Sequence, residues 1–249
     1  MEDFSVRHRR FVANYFAGKV KELHFQLAIV INGCDQSLKM FTRGDEISRG
    51  NNRAVLYGFS AFTNVIQTLK DSVKTVTNEQ LDWSKISLLR HGSFMHNVRN
   101  AATHDGNPVI NGWADGRYFI ATKIIRLDAR NKIVEVPAPI EDVRAICLEF
   151  AKDFCNLLRE TLLATESIDD LKESMFDIAA VEEAFANSTL IPGFARELLA
   201  NTRDELKNSL KEIKYDPIAD AIRELDVAIQ YCDSVTALSP ASDFENSVD

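Results

Sequence analysis

The sequence predicts a mainly α-helical protein: an antiparallel helical bundle, a small antiparallel β meander inserted near residues 108–137, and a helical extension behind it. Three observations carry this expectation. Apolar residues recur at threes and fours through most of the chain. After His104 the texture changes to β-branched and aromatic runs bounded by turn dipeptides. With 249 residues, 45% apolar and 27% charged, the chain is long enough and balanced enough to bury a sizeable core.

The elements follow in order. Phe4 to Ala17 and Val20 to about Phe41 read as two helices, with Phe25, Ala28, Ile29 and Leu38 among the periodic positions. Thr42 to Asn52 is a polar loop. Ala54 to Val76 is a third helix, because Val55, Phe59, Phe62, Ile66 and Leu69 line one side. Thr77 or Asn78 caps a fourth, Glu79 to about Thr103, and the DGNP that follows breaks it. The runs VINGW, RYFIATKIIRL and KIVEV, separated by ADG and DARN, predict a meander of two or three strands. Pro139 and Glu141–Asp142 suit the start of a long helix, Ile140 to Ala164. Three more helical segments follow: Ile168 to Ala186, Gly193 to Lys214 and Pro217 to Ala237. These elements divide into a bundle with its meander (1–165), an acidic helical extension (166–238) and a polar tail (239–249) that reads as disordered.

Composition excludes several classes. The four cysteines, Cys34, Cys147, Cys155 and Cys232, form no CxxC and read as reduced thiols in or near the core. MEDFSVRHRRF has no apolar run behind its charges, and FQLAIVI is too short to span a bilayer, so the expectation is a soluble cytoplasmic protein with no membrane partner. There is no GxGxxG, no GxxxxGK[ST], no GxSxG and no HExxH, and His91, His96 and His104 include no i,i+4 pair. Neither a cofactor nor a metal is expected. RHRR, Arg7 to Arg10, reads as a solvated first helix turn.

The net charge of −8 conceals an asymmetry. Residues 1–84 carry 11 Lys and Arg against 9 Asp and Glu; residues 85–132 carry 8 against 3; residues 133–249 carry 10 against 25. The middle segment is the one clearly basic stretch, and phosphate responds to such a local field. Trp113, Tyr118 and Phe119 lie in it beside Arg117, Lys123 and Arg126. They could stack single-stranded RNA or pack a hairpin on the bundle.

Within that segment, HNVRNAATHDGNP is unusual for a helix end. With Ser93 to His104 helical at about 100° per residue, Arg99 and Thr103 fall about 60° and 20° to one side of His96, and Asn100, His104 and Asn97 about 40°, 80° and 100° to the other. Phe94, Met95, Val98, Ala101 and Ala102 occupy the opposite half. The polar arc has no Glu or Lys, the usual solvating residues of a surface helix. It offers short donors and acceptors around one guanidinium, which suits an anion. Arg presents a planar fork to phosphate, and His exchanges a proton near neutral pH. These ingredients fit RNA backbone cleavage without a metal; a helix end whose arginine and histidine bond the last carbonyls uses the same residues. Arg99 and His104 lie about 140° apart on a regular helix. Their convergence is therefore expected only if the last turn opens or two copies face each other.

RNAATH, Arg99 to His104, resembles the Arg–polar–x(3)–His signature of HEPN domains, the higher eukaryote and prokaryote nucleotide-binding superfamily. Arg99 matches the arginine, Asn100 the polar residue and His104 the histidine, with antiparallel helices before the motif and a long helix after it. The resemblance implies a bundle that dimerises through the motif-bearing helices. It implies a metal-independent endoribonuclease with a composite site at the homodimer interface, leaving a 2′,3′-cyclic phosphate. It also implies a toxin or phage-defence effector, in some cases with an antitoxin or regulatory protein. Arg99 and His104 would be catalytic, and Asn100, His96, Asn97 and Thr103 would bind substrate or support the site. Members that have lost catalysis bind nucleotides or protein partners.

Overall fold

The first two helices that the sequence predicts are one. In the computed structural model, which describes residues 4–78, 81–106, 109–128, 130–165, 171, 178–212 and 215–237, α1 runs unbroken over Phe4–Arg43. Gly18, between the two expected helices, faces open space. A glycine inside a helix costs only about 1 kcal/mol relative to alanine. The stripe Ala13, Phe16, Val20, Leu23, Leu27 and Val30 is buried throughout its length, and that burial outweighs the glycine.

α2 (Arg49–Thr77) starts inside the expected loop, because Ser48 Oγ accepts the Asn51 N–H at 3.1 Å and caps it there. α2 runs antiparallel to α1, and two glycines set the close approach. A Cβ on Gly33 would lie 2.6 Å from Val55 Cγ2, and one on Gly58 2.9 Å from Ile29 Cγ2. At the far end Arg9, one of the arginines expected to be solvated, is buried and donates from Nε to the Val76 carbonyl at 2.5 Å. It satisfies one of the orphan carbonyls of the α2 terminus.

The expected fourth helix is broken in two. Asn78 (φ +56°) ends α2 rather than starting the next helix. α3 is a single turn, Trp83–Ile86, whose cap is Asp82: its Oδ1 accepts the N–H groups of Ser84 and Lys85. The chain then turns through His91 (φ +60°) into α4, Gly92–His104. Both pieces bury apolar residues, Ile86 in α3 and Met95, Val98 and Ala101 in α4, so the apolar period survives the break and hides it.

The meander is two separate hairpins. β1 (Gly112–Ala114) pairs with β2 (Arg117–Phe119) across Asp115–Gly116, both at positive φ. β3 (Ile124–Leu127) pairs with β4 (Ile133–Val136), Ile124 opposite Val136. β2 does not continue into β3 because Asn111 captures the intervening chain. Its Oδ1 accepts the Ala121 N–H at 2.7 Å, and its amide donates to Thr122 Oγ1 at 2.8 Å.

α5 (Val143–Leu163) is capped by Asp142 and starts just after the expected point. α6 (Ile178–Asn187), α7 (Gly193–Asn201) and α8 (Arg203–Glu212) follow. The segment expected as one helix from Gly193 is split where Thr202 leaves helical geometry (φ −102°, ψ 9°). α7 buries none of its residues. α9 (Pro217–Ala237) has the expected bounds and packs on α1 and α5 through Ile218, Ala221, Leu225, Ala228 and Cys232. The last helix of the acidic segment therefore belongs to the bundle core. The start of the extension and the 239–249 tail lie outside the described residues.

All four cysteines are buried and unpaired, as expected. Burial pushes the Cys34, Cys147 and Cys155 thiols well up and Cys232 to about 12. We expect a chromogenic disulfide reagent to find no fast thiol in the folded chain and all four after denaturation; a fast-reacting thiol in the native protein would contradict this burial. Among the described residues no helix is long and apolar enough to cross a membrane.

Candidate functional site on the polar face of α4

Met95, Val98 and Ala101 anchor α4 in the core and turn its polar side toward α2, α3 and the β3–β4 hairpin. There Arg99 Nη1 donates to Asn100 Oδ1 at 3.0 Å and lies 3.5 Å from His104 Nε2. The convergence expected to need an opened turn or a second copy is reached within one intact helix. α4 stays helical through His104, and the length of the arginine side chain spans the angular gap. Donation to His104 requires the lone pair to sit on Nε2 and the ring proton on Nδ1. Among the described residues no carboxylate touches Arg99, and its Nε is buried without an acceptor.

The supporting residues divide. Asn100 holds the guanidinium. Thr103 Oγ1 donates to Asn64 Oδ1 on α2 at 3.0 Å and ties the two helices together. Asn97 turns back on its own helix, donating to the Ser93 carbonyl at 2.9 Å. His96 stacks on Trp83, ring centroids 4.4 Å apart and 10° from parallel, and Trp83 Nε1 donates to Gln67 Oε1 at 2.9 Å.

Burial holds the His96 pKa below its ordinary value, and the nearby cations Arg99, Arg126 and Lys70 depress it further. Arg126 reaches this face from the inner side of β3, where its Nε donates to Asp105 Oδ2 at 3.0 Å. Three cations thus act on one half-buried ring. Because the folded pKa lies below the unfolded 6.5, the unfolded chain binds the proton first as pH falls. His96 therefore costs no stability above pH 6.5 and withdraws it below. His24, also lowered by burial, acts in the same direction. Urea midpoints from about pH 8 to about pH 5 should fall less steeply in His96→Gln than in the parent; identical slopes would show that His96 is not desolvated.

Sequence reasoning placed the Arg99–Asn100–His104 cluster and missed its surroundings: Asn64, Gln67 and Lys70 on α2, Trp83 on α3, and Arg126 as a member of this face. A signal existed. Asn64, Gln67 and Asp71 recur at threes and fours opposite the apolar stripe of α2, and Arg126 shares a strand face with the buried Ile124. The aromatic residues of the first hairpin go elsewhere. Tyr118 is buried, and Trp113 donates to Ser37 Oγ and meets Phe41 edge-on, so that hairpin packs on α1.

His91 keeps only 9% of its side chain exposed and sets Nε2 2.7 Å from Glu149 Oε2. Ligand atoms of His91, Glu141 and Glu149 lie within 4.8 Å of one another, the one metal-capable cluster among the described residues. Arg90 already contacts both carboxylates, Nε to Glu149 at 2.9 Å and Nη2 to Glu141 at 3.4 Å. This cluster fastens the α3–α4 turn to α5. No family model, curated protein or solved structure matches the chain.

Proposed function

We propose that this chain is a metal-independent endoribonuclease of HEPN type. The observation that supports this reading is a guanidinium held by Asn100 against His104, with no carboxylate on it among the described residues, in a field shared with Arg126 and Lys70. A neighbouring carboxylate would neutralise Arg99 and repel RNA; its absence leaves the Nη2 edge for phosphate oxygens.

The reaction needs four events. The RNA 2′-hydroxyl loses its proton to a base, O2′ attacks the adjacent phosphorus, the P–O5′ bond breaks, and O5′ takes a proton from an acid. The products are a 2′,3′-cyclic phosphate and a 5′-hydroxyl. The phosphate gains negative charge on the way, and Arg99 neutralises it. His104, exposed at the helix end, moves the proton once phosphate has displaced it from Arg99. One histidine cannot be base and acid in a single concerted step. Two arcs facing each other across a homodimer supply both, and this supports the composite site. A role as a toxin or phage-defence effector, held by an antitoxin or regulatory protein, is the biological form of the same proposal.

The test is incubation of the purified chain, with EDTA present, with a pool of structured and single-stranded RNAs. An Arg99→Ala/His104→Ala variant matched for fold and oligomeric state runs beside it. Cleavage by the parent alone supports the reading. RNA binding without cleavage overturns the enzyme and favours a second reading, a non-catalytic module that binds nucleotide or protein. That alternative draws on Thr103 and Asn97, whose hydrogen bonds serve the fold rather than an open site.

A further inference from the structure

A cleft of about 650 Å³ opens elsewhere on the molecule and shares no residue with the polar face of α4. Its walls come from the last turns of α1, from β2, from the start of α5 and from the end of α9. Its volume lies within the range of small-molecule sites, roughly 300–1,000 Å³. Two features of its lining point to a ligand class.

The first is charge. Lys39, Arg43, Arg117 and Arg144 line it against two carboxylates, Asp35 and Asp142, an excess of two positive charges. Pairing leaves that excess on Lys39 and Arg43. Asp35 sits one helical turn before Lys39, where an i,i+4 pair would form, but Arg144 takes it at 2.6 Å and also donates to the Val235 carbonyl. Asp142 caps α5 and meets Arg117 only at 3.7 Å. Lys39 and Arg43, one turn apart on α1, have no carboxylate partner among the described residues. The second feature is an apolar wall: Leu38, Tyr118, Ala145 and Val235 lie in the same cleft, so a ligand meets both a cationic rim and a dry surface. The β1–β2 turn fixes that wall. A Cβ on Gly116 would lie 2.9 Å from the Leu38 Cα, so the hairpin rests directly on α1.

We infer that this cleft binds a phosphomonoester with an apolar or aromatic body. A phosphomonoester carries close to two negative charges at neutral pH, which matches the excess on the lining; a carboxylate carries one. Arg43 and Arg117 offer planar forks to its oxygens and Lys39 a point charge, while the ring lies on Leu38, Ala145 and Val235. Because the ligand bridges four elements from both ends of the chain, its binding stabilises the fold.

The test uses phenyl phosphate, with benzoate, benzyl alcohol and inorganic phosphate as comparison probes, measured by calorimetry and by melting temperature on the full chain. Phenyl phosphate should bind, raise the melting temperature, and bind at least about tenfold more tightly than any of the other three. The exposed double variant Lys39→Gln/Arg43→Gln should weaken it about tenfold or more with the melting temperature of the free protein unchanged, and Arg99→Ala should leave it unaffected. Equal affinity for benzoate would overturn the dianion, equal affinity for benzyl alcohol the cationic rim, and equal affinity for inorganic phosphate the apolar wall. Undiminished binding by the double variant, or no binding at millimolar phenyl phosphate, would overturn the site.

Discussion

Arg99→Ala is expected to slow RNA cleavage by about a thousandfold while leaving the melting temperature nearly where it was. The two halves have separate causes. Removing a preorganised group from the place where negative charge develops typically costs about 10²–10³ in rate. Stability responds differently, because the Arg99 Nε is buried without an acceptor among the described residues. An unsatisfied buried donor costs roughly 1–3 kcal/mol, and truncation relieves that cost while losing the packing of the aliphatic stem. The two nearly cancel, so activity and stability come apart. Arg99→Lys keeps the charge but lacks the fork and cannot bond Asn100 and phosphate together, so it should restore only part of the rate. Single-turnover cleavage and thermal melting on the same preparations check this. A melting temperature that falls in step with the rate would make Arg99 a structural residue, and an unchanged rate would remove it from the site.

The sequence showed the α4 arc clearly because the information is local. An amphipathic helix whose polar side lacks Glu and Lys is visible in a dozen residues, and the anchors Met95, Val98 and Ala101 fall where the 3.6 period puts them. What surrounds the arc is not local. Lys70 on α2 and Arg126 on β3 act on His96 through their charge, and only the packed fold brings them near it. The Arg99–His104 contact was misjudged for a related reason: angular separation fixes where Cα–Cβ bonds point, not where a guanidinium on a three-methylene stem ends. Helix breaks fared worst. Gly18 looked like a boundary and is none, since an exposed glycine hardly perturbs a helix whose buried stripe is intact. The true break at His91 and Gly92 was hidden by apolar residues that keep their period across it, and its cause is a backbone contact that no residue pattern encodes.

That contact gives the second large effect. Gly92→Ala is expected to destabilise the fold by about 3 kcal/mol or more. The added Cβ would lie 1.9 Å from the Ile86 carbonyl oxygen, 2.8 Å from its carbon and 3.1 Å from the Ser87 Cα. These are backbone atoms, so no side chain can swing aside. Nor can α3 retreat: Ile86 is fully buried, and Asp82 pins the turn through the Ser84 and Lys85 N–H groups. α4 must move instead, and its displacement separates His96 from Trp83 and Thr103 from Asn64. The fold and the candidate site therefore fail together, the reverse of Arg99→Ala. Urea unfolding measures the loss. Trp83 fluorescence, read in a Trp113→Phe background, should rise as the stacked imidazole leaves it. Gly18→Ala is the opposite control: its Cβ meets nothing within 4 Å, and it should stabilise α1 by about 1 kcal/mol. If both glycines respond alike, general helix propensity governs them. If only Gly92→Ala lowers stability and releases Trp83, the α3–α4 backbone contact is what holds the arc in place.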